Sequence, residues 1–244
     1  MRILVISDIH ANLVALNAVI QDAGAFDRVW CLGDIIGYGP EPNACIERLS
    51  AFEGVCLAGN HDLAILNKVS LEDFSQDARD AANWTREQLT DANRDWLGRL
   101  APMIVFAEYD ITLVHGSPRD PIWEYVVTPA DAANALNSIE TPICLVGHSH
   151  VQITFRLPTY GLGVVRESPQ MNKPLSLTLD RLVVNPGSVG QPRDDDVRAA
   201  YAMIDLDAMT LTHRRVQYDI AATQKAMKLA RLPNRLIRRL RFGE

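Results

Sequence analysis

Five times along this chain a short apolar, β-branched run stops at a small polar group that no hydrophobic core requires. Arg2–Ser7 (RILVIS) ends at Asp8-Ile9-His10, Arg28–Leu32 (RVWCL) at Gly33-Asp34, and Gly54–Ala58 (GVCLA) at Gly59-Asn60-His61-Asp62. Ile111–Val114 ends at His115-Gly116, and Ile143–Val146 at Gly147-His148-Ser149-His150. Short uninterrupted apolar runs read as strands buried on both faces, as in a parallel sheet. Between the first three runs lie helical patterns, Ala11–Ala23 (through Leu13, Leu16, Val19 and Ile20) and Pro42–Ala51. Strand, helix, strand, helix, strand means βαβ units. Ligands of such sheets bind beyond the carboxyl ends of the strands. The five groups are therefore expected along one edge.

From about Asn67 to Leu100 the pattern is helical, with Phe74, Ala78, Ala81, Trp84, Leu89, Trp96 and Leu97. Strands resume at Met103–Ala107, and a helix at Pro129–Ile139 leads into the strand at Ile143. After that, alternation of period two dominates: Val151–Leu157, Leu175–Leu179, Leu182–Val184, Ala200–Leu206 and Thr210–Val216 read as antiparallel strands of a second sheet. Pro158–Pro174, rich in Gly and Pro, reads as a long hairpin near the same edge as the five groups. Ile220–Phe242 reads as a basic helix; residues 221–244 hold seven Lys/Arg and one acid, against a net charge of −6 for the whole chain. We take residues 1–218 as one core, with an excursion at 68–100, and 219–244 as a helical extension of the same domain.

Composition excludes several classes. The 244 residues are 48% hydrophobic and 22% charged, which suits a globular chain with a sizeable core. No stretch approaches the ~20 apolar residues of a membrane span. Ile3–Ile6 is too short for the core of a signal peptide, which needs about 7–15 residues. A cytoplasmic location is expected. A net charge of −6 disfavours bulk nucleic-acid binding. The four cysteines, at 31, 45, 56 and 144, form no CxxC pair and read as free thiols. P-loop, dinucleotide and nucleophile-elbow motifs are lacking.

The polar groups bring two carboxylates, an amide oxygen and up to five imidazoles, without a thiolate. Such donors suit Mn, Fe, Ni, Co or Zn rather than a structural thiolate zinc site. Asp8, His10, Asp34, Asn60, His115, His148 and His150 make seven candidate ligands. One ion takes about four to six, so seven suit two ions that share a carboxylate. Two ions about 3.5–4 Å apart serve in-line displacement at phosphorus, with a bridging hydroxide as nucleophile. His61, beside a ligand, is placed to protonate a leaving oxygen or bind phosphate, and Asp62 to orient it.

This order of blocks, D-x-H, G-D, G-N-H-[DE], H and G-H-x-H, resembles that of the calcineurin-like metallophosphoesterases across residues 3–150. More weakly, Asn185-Pro186-Gly187-Ser188 resembles a loop of the family's small bacterial and archaeal phosphodiesterases. The resemblance implies an α/β fold of two packed mixed sheets flanked by helices. It implies that Asp8, His10 and His150 hold one metal and Asn60, His115 and His148 the other, with Asp34 bridging and His61 near the leaving group. Mn²⁺ is the first expectation for both ions. The substrate is expected to be a small phosphate ester or nucleotide-like molecule, first a phosphodiester. A protein phosphatase, a dinucleoside polyphosphate hydrolase and a non-catalytic protein-binding scaffold of the same fold are the alternatives. Oligomeric state is open, a homo-oligomer included.

Other residues carry weaker expectations. Asn12 reads as a helix N-cap. Tyr38 reads as packing first and substrate contact second. Arg119 is expected on substrate phosphate, with Asp120 as the competing partner, and is favoured over Arg193. His213 reads as a strand-face residue, and Asp194-Asp195-Asp196 as an exposed turn. The 68–100 excursion is expected to cap the site.

Overall fold

The computed structural model describes residues 1–244. In chain order it holds β1 (Arg2–Ile6), α1 (Leu13–Ala23), β2 (Arg28–Cys31), α2 (Pro42–Ser50), β3 (Gly54–Cys56), α3 (Asn60–Ile65), α4 (Gln76–Gln88), α5 (Asp91–Gly98), β4 (Met103–Phe106) and β5 (Ile111–Val114). There follow α6 (Pro129–Asn137), β6 (Ile143–Val146), β7 (Ile153–Leu157), β8 (Val165–Glu167), β9 (Pro174–Ser176), β10 (Arg181–Asn185), β11 (Ala199–Asp205), β12 (Thr210–Val216), α7 (Ile220–Leu229) and α8 (Asn234–Arg239).

The strands form two six-stranded sheets, ordered β3-β2-β1-β11-β12-β9 and β4-β5-β6-β10-β7-β8. Each has a parallel block, β1–β2–β3 and β5–β6–β10, extended by antiparallel neighbours. The period-two geometry of a strand sends alternate residues to two different cores. Ile3 and Val5 of β1 pack between the sheets with Leu113, Leu145 and Val184. Leu4 and Ile6 face the other way, onto Leu16 and Val19 of α1 and Ile46 of α2. In the second sheet Val114 and Val146 face Ala132 and Leu136 of α6. Helix, sheet, sheet, helix is the layer order, and both faces of each central strand are buried.

One expectation is corrected here. The later strands do not make a sheet of their own: β11, β12 and β9 complete the first sheet, while β4 and β5 join the second. Alternation marks an antiparallel neighbour but does not say whose. The free edge of β1 is closed by β11, with Leu4 opposite Met203. Strand β8, three residues in the Gly/Pro-rich stretch, carries no apolar run and is not legible in the sequence. The 158–174 hairpin runs through β8 and then crosses to the first sheet at β9; none of its residues lines the cavity described below.

The 68–100 excursion is a flank rather than a closing cap. Ala82, Leu89 and Leu97 pack into the core beneath α1 and α2. Only its leading segment, Asp73 to Ala78, reaches the site cavity. The basic C-terminal stretch is two helices, not one, broken where Arg231 adopts φ 56° and Pro233 precedes α8. Met227, Leu232, Leu236, Ile237 and Leu240 pack with Tyr38, Ala64 and Phe74, while Lys225, Lys228, Arg235, Arg238 and Arg241 stay exposed. No helix is long and apolar enough to cross a membrane.

Candidate metal centre

The five polar groups do meet at one edge. Asp8, His10, Asp34 and His150 form one buried cluster, and Asp34, His115 and His148 a second, the ligating atoms of each lying within 4.8 Å of one another. Asp34 belongs to both. Its Oδ2 lies 3.7 Å from His10 Nε2 and 3.6 Å from His115 Nε2. Asp8 Oδ1 is 3.4 Å from His150 Nε2, and Asn60 Oδ1 is 3.1 Å from His115 Nε2.

Backbone hydrogen bonds aim the rings. Carbonyls of Ile36, Leu32 and Gln191 lie 3.3, 2.8 and 2.6 Å from Nδ1 of His10, His115 and His150. Each carbonyl needs a donor, so Nδ1 carries the proton and Nε2 keeps its lone pair for the centre. His148 is turned the other way: its Nε2 sits 3.2 Å from the Trp123 carbonyl, which leaves Nδ1 inward. Five of the seven candidate ligands, Asp8, His10, Asp34, His148 and His150, have φ between 49° and 64°. A non-glycine residue in that region costs on the order of 1–3 kcal/mol, a strain that concentrates at functional sites.

The donor set fits two cations. With Nδ1 protonated on both rings, the lone pairs of His10 Nε2 and His150 Nε2 face each other at 3.0 Å, which repels unless a positive ion lies between them. Neither oxygen of buried Asp8 has a hydrogen-bond donor. Burial pushes the Asp8 carboxyl up to about 7 and raises Asp34 well above its ordinary value. Burial also holds His10 and His150 well below the usual imidazole value, and His148 down at about 2. Neutral imidazoles and carboxylates in want of positive charge are the forms that ligate.

Beside the clusters lies a cavity of about 290 Å³, lined among others by Asn60, His61, Tyr38, Phe74, Trp123 and Arg193. The His61 ring is held by Tyr38 and Phe74, with centroids at 4.3 and 4.8 Å, and its buried Nδ1 has no partner within the protein. Burial, reinforced by the Arg193 charge, lowers its pKa well below 6.5. Tyr38 thus both packs and lines the cavity.

Two expected roles are corrected. Asp62 does not orient His61. Its carboxylate accepts the amides of Gly59, Ile35 and Ile36 at 2.9, 3.2 and 3.1 Å, tying the Gly59 turn to the loop that carries Asp34. Neighbours on a helix point to different faces, and α3 begins at Asn60. Asp62→Asn is expected to cost about 2–4 kcal/mol of stability, since it replaces charge-assisted acceptors that serve three donors; a chemical denaturation midpoint equal to wild type would refute this. Arg119 does not reach the cavity: it pairs with Glu124 at 3.1 Å and is 47% exposed. The cation that lines the cavity is Arg193, held by Gln191 Oε1 at 2.9 Å. Its signal was only its place just past the Asn185–Gly190 loop. The cavity's Trp123, Tyr125 and Asp73 had no signal in the sequence.

The remaining residues take structural roles. Asn12 caps α1 by accepting the Ala15 amide at 3.1 Å, and its amide donates to the Gly190 carbonyl at 3.0 Å. His213 is buried on β12 with Nε2 3.1 Å from Thr154 Oγ1. Asp194 is not a free turn residue: it accepts the Gln152 amide at 3.0 Å and pairs with Arg215. All four cysteines are free.

Comparison with known proteins agrees with this geometry. The family model described as a calcineurin-like phosphoesterase superfamily domain matches residues 1–209. The chain is 44% identical to a metallophosphoesterase from Sphaerobacter thermophilus, whose crystal structure superposes with a TM-score of 0.91 over 100% of this chain and 99% of that one. It is 36% identical to an uncharacterized protein of Methanocaldococcus jannaschii, across 99% of this chain and 98% of that one. A hypothetical protein from Pyrococcus horikoshii, 21% identical, shares the fold with a TM-score of 0.80 over 100% of this chain and 98% of that one. With the family model spanning every strand but β12 and every group that builds the two clusters, this chain belongs to the calcineurin-like phosphoesterase superfamily.

Proposed function

We propose that the protein is a metal-dependent phosphodiesterase acting on small esters. The observation that carries this is the pair of buried Asp/His clusters sharing Asp34, opening on a cavity with one arginine. Asp8, His10 and His150 would hold one ion, Asn60, His115 and His148 the other, with Asp34 common to both. Mn²⁺ is the first choice for this nitrogen and oxygen donor set, ahead of Fe, Ni, Co and Zn. Such a pair of ions supplies Lewis acidity and activates water near neutral pH.

The chain's own residues do the rest. Arg193 would hold the anionic phosphate with a guanidinium that no carboxylate neutralises. Its Nε is buried and without a partner. Asn60 and His61 line the same cavity; His61, neutral in the free protein, would donate its N–H to the phosphate, and a proton to the leaving oxygen once the charge of the bound phosphate favours the imidazolium. The cavity's small volume, about 290 Å³, favours a small ester over a protein substrate.

The test is hydrolysis of bis(p-nitrophenyl) phosphate by metal-stripped protein with and without Mn²⁺. Metal-dependent release of nitrophenolate is expected; silence with two ions bound, on diester and monoester substrates alike, would favour a scaffold. His61→Ala should keep its metal, read by elemental analysis, yet lose ~10²–10⁴-fold in turnover of an ester with a poor leaving group. The loss should shrink when the leaving group is p-nitrophenolate, which needs no proton. Equal losses on both esters would assign His61 to phosphate binding alone.

A further inference from the structure

Two of the four free thiols are neighbours. Strands β2 and β3 run parallel, and their register sets Cys31 directly opposite Cys56. Opposed residues of a sheet share a face, and here both side chains pack into the core beneath α1 and α2. Adjacent strands lie about 4.8 Å apart, within the span of about 4.4–6.8 Å between Cα atoms that a disulfide bridges. The thiols already meet: Cys31 donates its S–H to the Cys56 sulfur, and this bond, with burial, pushes the Cys31 thiol well above its ordinary pKa.

The two sulfurs differ in access. Cys31 is fully buried, whereas Cys56 is half-buried. Cys56 lines an apolar cavity of about 360 Å³ together with Phe52, Trp96 and Leu100. One sulfur within reach of an oxidant, with a second thiol against it, is the arrangement of a redox-sensing pair. The pair also stands just behind the metal centre. Asp34 follows Cys31 by three residues, and Asn60 follows Cys56 by four. The two loops between have no slack: a Cβ on Gly33 would lie 2.8 Å from the Gly59 nitrogen, and one on Gly59 would lie 2.1 Å from Asp34 Oδ1. Strands drawn together at Cys31 and Cys56 therefore shift Asp34 against Asn60.

We propose that Cys31 and Cys56 form a reversible disulfide that distorts the metal centre, loosening its ions and lowering its activity. The oxidant is an organic hydroperoxide, a class that suits the apolar walls around Cys56. The Cys56 thiolate attacks a peroxide oxygen, the O–O bond breaks and an alcohol leaves, which gives a sulfenic acid. The Cys31 sulfur, losing its proton, then attacks the Cys56 sulfur; the S–O bond breaks and water leaves. Two thiols give up two electrons and the hydroperoxide takes them. The sulfurs close from thiol contact to about 2.05 Å, and that closure is the movement passed to Asp34. The effect on turnover rests on the phosphoesterase reading above; the bridge itself does not.

Treatment of the Mn²⁺-loaded protein with tert-butyl hydroperoxide tests this. Mass spectrometry should show the loss of two hydrogens per chain, mapped by digestion to a Cys31–Cys56 bridge, with Cys45 and Cys144 still open to alkylation after unfolding. Turnover of the nitrophenyl diester and affinity for Mn²⁺ should each fall at least ~10-fold, since a misplacement of about 1 Å can cost on the order of 10²-fold. Dithiothreitol should restore both. Cys56→Ala and Cys31→Ala should keep the basal turnover and lose the response. The inference is overturned if Cys31 and Cys56 remain free thiols, if the bridge leaves both turnover and metal affinity within ~10-fold of the reduced protein, or if Cys56→Ala is as sensitive as wild type, which would place the damage at the metal. Absence of turnover in the reduced protein with two ions bound removes only the phosphoesterase reading, and metal affinity then decides the inference alone.

Discussion

Asp34→Asn is expected to lower Mn²⁺-dependent phosphoesterase turnover by at least ~10³-fold, about 4 kcal/mol of barrier, while leaving the metal-free protein folded. One oxygen of Asp34 lies within 3.7 Å of His10 and 3.6 Å of His115, so both clusters lose their shared anion at once. An amide oxygen carries no formal charge to offset a cation. The fold should tolerate the change better than the chemistry does. Oδ1 of Asp34 accepts the His61 amide at 2.9 Å, a bond the Asn oxygen can keep. Burial raises the Asp34 pKa, so the charged form is disfavoured in the metal-free protein and an uncharged amide removes that cost. Bound metal should fall from two ions per chain, and the thermal midpoint without metal should equal or exceed that of wild type. Turnover within tenfold of wild type would show that Asp34 does not join the two clusters.

Gly190→Ala is expected to cost about 3 kcal/mol or more of stability. A Cβ there would lie 1.8 Å from the Ile9 carbonyl oxygen and 2.6 Å from its carbon, so backbone must move. That backbone belongs to the loop that presents Asp8 and His10. It is clamped to the segment that holds Gly190 by Val189 N to Ser7 O at 3.0 Å, Gly190 N to Asp8 O at 2.9 Å and Ser188 Oγ to Asp8 O at 2.7 Å. Displacement therefore reaches the proposed ligands Asp8 and His10, and metal affinity should fall together with stability. Gly98→Ala is the control: it sits in α5 with nothing within 4 Å of an added Cβ, and should be neutral or stabilising by up to about 1 kcal/mol. Chemical denaturation of both variants, with metal content measured in parallel, checks the pair. A Gly190→Ala protein as stable as Gly98→Ala would mean that the loop yields freely.

The parts of this molecule that the sequence discloses are those where one residue type answers one need. A histidine or aspartate at the end of an apolar run has no place in a core, so Asp8, His10, Asp34, His115, His148 and His150 announce the site. Strand positions are legible for the same reason, because Ile111–Val114 and Ile143–Val146 have no other use for their apolar faces. What needs a partner to be understood is hidden. Sheet membership depends on which edge β1 leaves open. The role of Asp62 depends on a helix that starts inside the Gly59–Asp62 block and turns its side chain away from His61. The sequence favours Arg119 over Arg193, and only the structure shows Glu124 capturing the first. Trp123 and Tyr125 stand in an aperiodic segment, where no pattern separates a cavity wall from a loop.

The seam between the two ends of the chain has a consequence for biosynthesis. The loop bearing the first proposed ligand block, Asp8 and His10, is seated by residues 188–190, and Asn12 accepts the hydroxyl of Thr223 at 3.0 Å. Contacts so distant along the chain are made late, because their loop-closure entropy is paid before they return anything. A ribosome that has delivered the D-x-H, G-D and GNHD blocks has delivered ligands without the loop that holds the first of them in its strained backbone. Residues 188–190 thus tie the seating of the first block to the arrival of a segment 180 residues further along the chain.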